Sequence, residues 1–168
     1  AQVWIPAGQW AACKGTASTS SLVGRECFLG VDLSDKIDLS AVVGIFPREL
    51  ERAPAADGGP PIDRALDVLP WFWMPEKTIA KRAQEDKIPY PDWAKAGYVT
   101  TTPGSIIDHD AIVEFIIGTL AKKYQIRGIG IDQAGAAGAV SKLRRHFGDE
   151  LVQEIPQGFR RLSEPSKL

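Results

Sequence analysis

From Ser105 to Ile155 the chain alternates stretches of helical spacing with short apolar runs, and this alternation constrains the fold more than any other feature. Ser105 and Asp108 form a Ser-x-x-Asp helix-start signal, after which Ile112, Phe115, Ile116 and Leu120 recur at helical spacing to about Tyr124. Ile126 to Asp132 is an apolar run of strand length. Gly135 to Phe147 follows with Ala136, Val140, Leu143 and Phe147 on one helical face. Leu151 to Ile155 reads as a last strand, closed by Pro156-Gln157-Gly158. Strands separated by helices pair in parallel through right-handed crossovers, so this half predicts part of an α/β sheet.

The first half reads differently. Cys27 to Leu33 is a buried-strand run, Ser34 to Asp38 is turn chemistry, and Leu39 to Phe46 is a second run rich in Val and Ile. The short gap predicts an antiparallel hairpin. Pro47 to Asp63 carries Pro47, Pro54, Pro60, Pro61 and Gly58-Gly59, and predicts an exposed loop. Leu66 to Trp73 gives a third strand, and Pro75 to Asp86 a charged helix opened by proline. Ile88 to Ala96 is a Pro-interrupted turn or single helical turn, and Tyr98 to Thr102 an edge strand or extended link. Residues 1–25 lack periodicity; they read as a lead-in from an upstream domain, packed through Trp4 and Trp10. The expected fold class is α/β: a mixed sheet of three antiparallel strands followed by helix, strand, helix, strand, with helices on its faces. With 168 residues, 44% of them hydrophobic, there is core enough for one such domain.

Composition removes several functions. The formal charge is −1, so no global basic field draws the chain to nucleic acid, and any such surface must be a local patch. No apolar run reaches the ~18 residues that span a bilayer, and no signal peptide opens the chain. Cys13, Cys27, His109 and His146 offer neither zinc-ligand spacing nor a disulfide framework, which predicts two reduced thiols in a cytosolic protein. No Gly-x-x-x-x-Gly-Lys-Ser/Thr occurs, so no ATPase activity is expected. A chain that begins at Ala1 without Met and stops at Ser166-Lys167-Leu168 reads as a piece of something longer.

Two strands share a chemical feature. Leu29-Gly30-Val31-Asp32 and Ile129-Gly130-Ile131-Asp132 are both apolar and both finish on an aspartate. Sites in open α/β sheets lie beyond the carboxyl ends of the strands, and a carboxylate at an apolar strand end is costly unless paired, hydrogen-bonded or metal-bound. If the strands are parallel neighbours, Asp32 and Asp132 project from one sheet edge. A hard divalent cation relieves the repulsion between two such carboxylates, and two ions ~4 Å apart cleave phosphodiesters by activating water and stabilising the leaving oxygen. The competing reading is an Asx-turn or a helix cap, the latter available to Asp132.

Phe28-Leu29-Gly30-Val31-Asp32-Leu33-Ser34 followed by Asp38-Leu39-Ser40-Ala41 resembles the opening of the nuclease domain of tailed-bacteriophage terminase large subunits. The resemblance continues, in order, at Trp73-Met74-Pro75-Glu76, at Val99-Thr100-Thr101-Thr102-Pro103-Gly104 with Ile107-Asp108, at Ile126 to Asp132, and at Gln157-Gly158-Phe159 with Leu162-Ser163. It covers most of Cys27 to Lys167. It implies an RNase H-like fold over residues 26–168, with the first and fourth core strands side by side, preceded by the 1–25 lead-in from an ATPase domain. It also implies a Mg²⁺- or Mn²⁺-dependent endonuclease that cuts concatemeric viral double-stranded DNA in the host cytoplasm. Its partners would be the ATPase domain, the small terminase subunit and the portal. Asp32 and Asp132 match the family's first-strand and fourth-strand metal ligands. The third catalytic aspartate lies beyond the end of this chain, leaving the domain C-terminally incomplete. The alternative is therefore a catalytically incomplete module that docks DNA or motor subunits.

Secondary candidates carry paired readings. Asp38 matches an acidic position of the opening motif and serves either a metal-bound water or, like Asp35, the turn. Asp108 and Asp110 read as helix caps. Gly130 to Gly138 is either a phosphate cradle or a close-packing stretch, the latter favoured. Lys142, Arg144 and Arg145, with Arg160 and Arg161, are either a solvated face or contacts to DNA phosphates. His146 reads as structural, and Trp71, Phe72 and Trp73 as core rather than base-stacking residues.

Overall fold

Alternate side chains of the strand Glu26–Asp32 (β1) are buried: Cys27, Leu29 and Val31 face the core while Phe28, Gly30 and Asp32 face outward. This period of two makes β1 the centre of a sheet with different chemistry on its two faces. The computed structural model describes residues 6–15, 18–34, 39–53, 62–132 and 136–156. Among them β1 is joined by β2 (Ser40–Ala53), β3 (Ile62–Pro75), β4 (Val99–Thr102), β5 (Gln125–Asp132) and β6 (Val152–Ile155) in the order β4-β3-β2-β1-β5-β6. β2 runs antiparallel to both its neighbours, while β1–β5, β5–β6 and β3–β4 are parallel pairs. Five strands therefore end at the same edge of the sheet. The expected mixed sheet is the observed one, with Tyr98 to Thr102 supplying its edge strand.

Helices cover both faces. On one, Leu29, Val31, Phe46, Trp73, Ile129 and Ile131 pack under α4 (His109–Phe115) and α6 (Ala137–Phe147). On the other, Phe72, Met74 and Val99 pack under α2 (Ile79–Asp86) and α3 (Tyr90–Lys95). Away from α2 and α3 this second face leaves Phe28, Leu66, Val68 and Ile155 exposed. The long helix that starts at α4 continues through a π-helical turn (Ile116–Leu120) into α5 (Ala121–Lys123). The cause is legible in its spacing. Ile112, Ile116, Leu120 and Tyr124 are all buried and lie four residues apart. At 3.6 residues per turn that spacing drifts by about 40° per step, and the wider i→i+5 turn absorbs the drift.

Two expectations are corrected. Pro47 to Asp63 is not simply a loop: β2 and β3 stay paired from Pro47↔Leu66 through Glu49↔Arg64 to Ala53↔Ile62, with residues 54–61 outside the described set. Pro47 lies beyond the last β1–β2 pair, Phe28↔Ile45, where one side of β2 has no neighbouring strand to miss its N–H. Likewise Pro70 precedes the first β3–β4 pair, Phe72↔Val99. The segment before β1 is not held through Trp10, which is 70% exposed within a helix α1 (Ala7–Ala12) that has no buried residue; Trp4 lies outside the described residues. Its anchors are the buried Leu22, the Gly24 N–H donating to the Lys123 carbonyl at 2.7 Å, and an Arg25–Asp67 ion pair at 3.0 Å. Trp71 and Trp73 pack edge-on against Phe115, as core residues do.

Both thiols are free; Cys13 is exposed and Cys27 fully buried, where desolvation pushes its pKa up to about 11. A thiol reagent at pH 8 is expected to label one cysteine quickly and the second only on unfolding. The unfolded chain ionises at the ordinary value of 9.0 while the folded one holds the proton, so this contribution is complete below pH 9 and lost as pH rises to about 11. Chemical denaturation across that window is expected to show falling stability, and Cys27→Ala removes this part of the slope.

Candidate functional site

β1 and β5 lie side by side in parallel, Gly30 opposite Gly130 and Val31 opposite Ile131. The next residue on each strand is an aspartate, so Asp32 and Asp132 sit on backbones about 4.8 Å apart. Val31 and Ile131 point into the core, and the alternation turns both aspartates to the other face. There they line one open depression of about 360 Å³ with Gly30, Gly130, Ala41, Val43 and Ile155. A Cβ on Gly30 would meet nothing within 4 Å, and one on Gly130 would come within 2.5 Å of Ile155 Cδ1. The floor of the depression is thus open beside Gly30, while the Ile155 side chain lies over Gly130. Asp132 is not the N-cap of α6, whose N-cap is Ala136.

The donor set fits a hard divalent cation. Such ions accept one or two carboxylates and complete their shell with water or phosphate oxygens at ~2.0–2.6 Å. Among the described residues, no group of three or more His, Cys, Asp or Glu side chains is placed to hold a metal. Asp35, Asp38, Arg160 and Arg161 lie outside the described residues, as do 133–135 of the Gly-rich turn. In the rest of that turn Ala136 and Ala139 are the small residues that pack, while Gly138 faces open space.

The α6 cations lie elsewhere. α6 covers the Val31 and Ile131 face, so its charged side is across the sheet from the depression. Lys142 pairs with Asp110 at 2.6 Å, and Arg144 with Glu154 at 3.1 Å; Arg145 makes no ion pair among the described residues. Asp108 does cap α4, accepting from the N–H groups of Asp110 and Ala111. His146 stacks edge-on against Phe147 at 4.6 Å.

Sequence reasoning considered His109 only as a zinc ligand and gave Ser40 no role. Both meet the chain just past β1: His109 Nε2 lies 3.0 Å from the Ser34 carbonyl, and the Ser34 N–H donates to the buried Ser40 Oγ at 2.9 Å. The available signals were weak, a polar residue inside the Leu39 to Phe46 run and a histidine next to a helix cap.

The whole sequence, residues 1–168, matches the family described as "Terminase large subunit, endonuclease domain". The chain belongs to that family. The terminase large subunit of Enterobacteria phage HK97 is 37% identical over 89 residues, covering 53% of this chain and 15% of the phage protein. Protein YmfN of Escherichia coli (strain K12) is 26% identical over 166 residues, covering 94% of this chain and 33% of that protein. The crystal structure of the HK97 large terminase matches with a TM-score of 0.63 and 26% identity, over 90% of this chain and 30% of the terminase chain. The terminase nuclease domain described here thus spans a third or less of the length of these relatives. The resemblance carried by the strand-end motifs and the α/β sheet expected from the sequence are both borne out. No helix among the described residues is long and apolar enough to cross a membrane.

Proposed function

We propose that this terminase nuclease domain is a Mg²⁺- or Mn²⁺-dependent endonuclease that cuts concatemeric double-stranded viral DNA in the host cytoplasm during packaging. The observation that carries the reading is the adjacency of Asp32 and Asp132 at the ends of parallel strands, on one open depression. The two carboxylates would hold the cation, whose positive charge offsets their mutual repulsion. A divalent ion supplies polarisation of a phosphoryl oxygen and activation of water, and a second ion would stabilise the leaving oxygen. The protein's own contribution is position: β1 and β5 fix the carboxylates through ladder hydrogen bonds on both sides, and Gly30 leaves open space beside Asp32 for a phosphodiester. DNA-phosphate contacts by Arg145, away from the depression on α6, and by Arg160, with a metal role for Asp38, belong to the same proposal, while acidic partners already engage Lys142 and Arg144. Supercoiled plasmid incubated with Mn²⁺ or Mg²⁺ is expected to yield nicked and linear products that a chelator suppresses. Cleavage that persists in chelator overturns the reading.

A second reading is a module that docks DNA, the ATPase domain, the small subunit or the portal without cutting. It is favoured by the lack of a third acidic or histidine ligand beside the pair among the described residues. A chain extended past Leu168 discriminates: if extension brings no cleavage, the docking reading stands.

A further inference from the structure

We propose that His109 is a positioning residue for the candidate metal site, holding the end of β1 in place through the Ser34 peptide; this rests on the metal-site reading above. The ladder of β1 stops at Asp32, paired with Ala41, and Leu33 and Ser34 continue past the end of the strand. A strand end that leaves its ladder frays unless its peptide groups find other partners. Here side chains from two different elements supply them. Ser40, fully buried at the start of β2, accepts the Ser34 N–H at 2.9 Å, and His109, in the first turn of α4, meets the Ser34 carbonyl at 3.0 Å. A carbonyl only accepts, so the ring carries its proton on Nε2 and donates it.

The donor is itself fixed. Asp108 caps α4 through two backbone N–H groups, and Leu33 and Ile107 on either side of the contact are buried in the main core. Ser34 is thereby tied both to the neighbouring strand and to the helix layer, two residues after Asp32. Two carboxylates share one ion only while an oxygen of each holds its ~2.0–2.6 Å distance from the same point to within a fraction of an ångström, so a loose strand end dilutes the bound geometry. Groups that orient a ligand in this indirect way typically change affinity or activity by about 10- to 100-fold.

The test is Mn²⁺ titration by calorimetry on the whole chain, with wild type, His109→Ala, His109→Gln and Ser40→Ala, each checked for an intact thermal transition. Glutamine places an N–H donor near the Nε2 position, so the expected pattern is a loss of Mn²⁺ affinity of about tenfold or more in His109→Ala, recovery to near wild type in His109→Gln, and a loss in Ser40→Ala. The rescue separates positioning from a general packing role, which glutamine would not restore. Should His109→Ala fail to fold, the decision passes to the other two variants. The proposal is overturned if His109→Ala or Ser40→Ala binds Mn²⁺ as wild type does, or if His109→Gln falls as far as alanine. Binding that needs Asp32 and Asp132 but ignores His109 sinks this proposal alone; binding that ignores the two aspartates sinks the metal-site reading with it.

Discussion

Asp132→Asn is expected to lower Mn²⁺-dependent plasmid cleavage by about 10³-fold, equivalent to about 4 kcal/mol of transition-state stabilisation. Asparagine keeps the shape and removes the charge, so the loss reports on the grip of a cation and not on packing. Asp32→Asn should do the same. Because both carboxylates hold one site, the double variant is expected to be no worse than either single one, whereas independent contributions would multiply. Retained cleavage in either variant counts against the shared site.

Phe46→Ala is expected to destabilise the fold by about 3–5 kcal/mol. Phe46 is fully buried and meets Tyr124 edge-on with ring centroids 4.9 Å apart, where the helix layer returns to the sheet. A domain of this size has only about 5–15 kcal/mol in hand, and the melting temperature should fall by roughly 10 °C or more. Phe28 is the internal control. It pairs across β1 and β2 with Ile45, so the alternation puts it on the opposite face, 44% exposed. Phe28→Ala is expected to cost about 1 kcal/mol or less. Thermal unfolding of the two variants side by side checks this; equal losses would mean that the two faces are not as different as their burial.

The strands that build the site were legible because burial wrote a pattern into them. Leu29-Gly30-Val31-Asp32 and Ile129-Gly130-Ile131-Asp132 are apolar where the sheet is covered and acidic where it ends, and helical spacing between them fixed parallel pairing. The β2–β3 hairpin was misread at Pro47 because proline punctuates a sequence whether or not a neighbouring strand needs its N–H, and only the register shows that none does. Trp10 misled because an indole is expected to be buried, yet Leu22 is the residue that reaches the core. His109 escaped notice for another reason. A hydrogen bond to the carbonyl of Ser34, 75 positions away, leaves no local pattern, since any residue offers that carbonyl. Charge alone leaves the cations of α6 as either a solvated face or contacts to DNA phosphates, and the sheet that separates Lys142 and Arg145 from the aspartates has no signature in composition.

The most direct test is to soak crystals of the protein in Mn²⁺ and collect anomalous diffraction. One peak is expected within ~2.0–2.6 Å of a carboxylate oxygen of Asp32 and of Asp132 together. A peak on one aspartate only, or with neither of them, contradicts a divalent ion shared between the ends of β1 and β5.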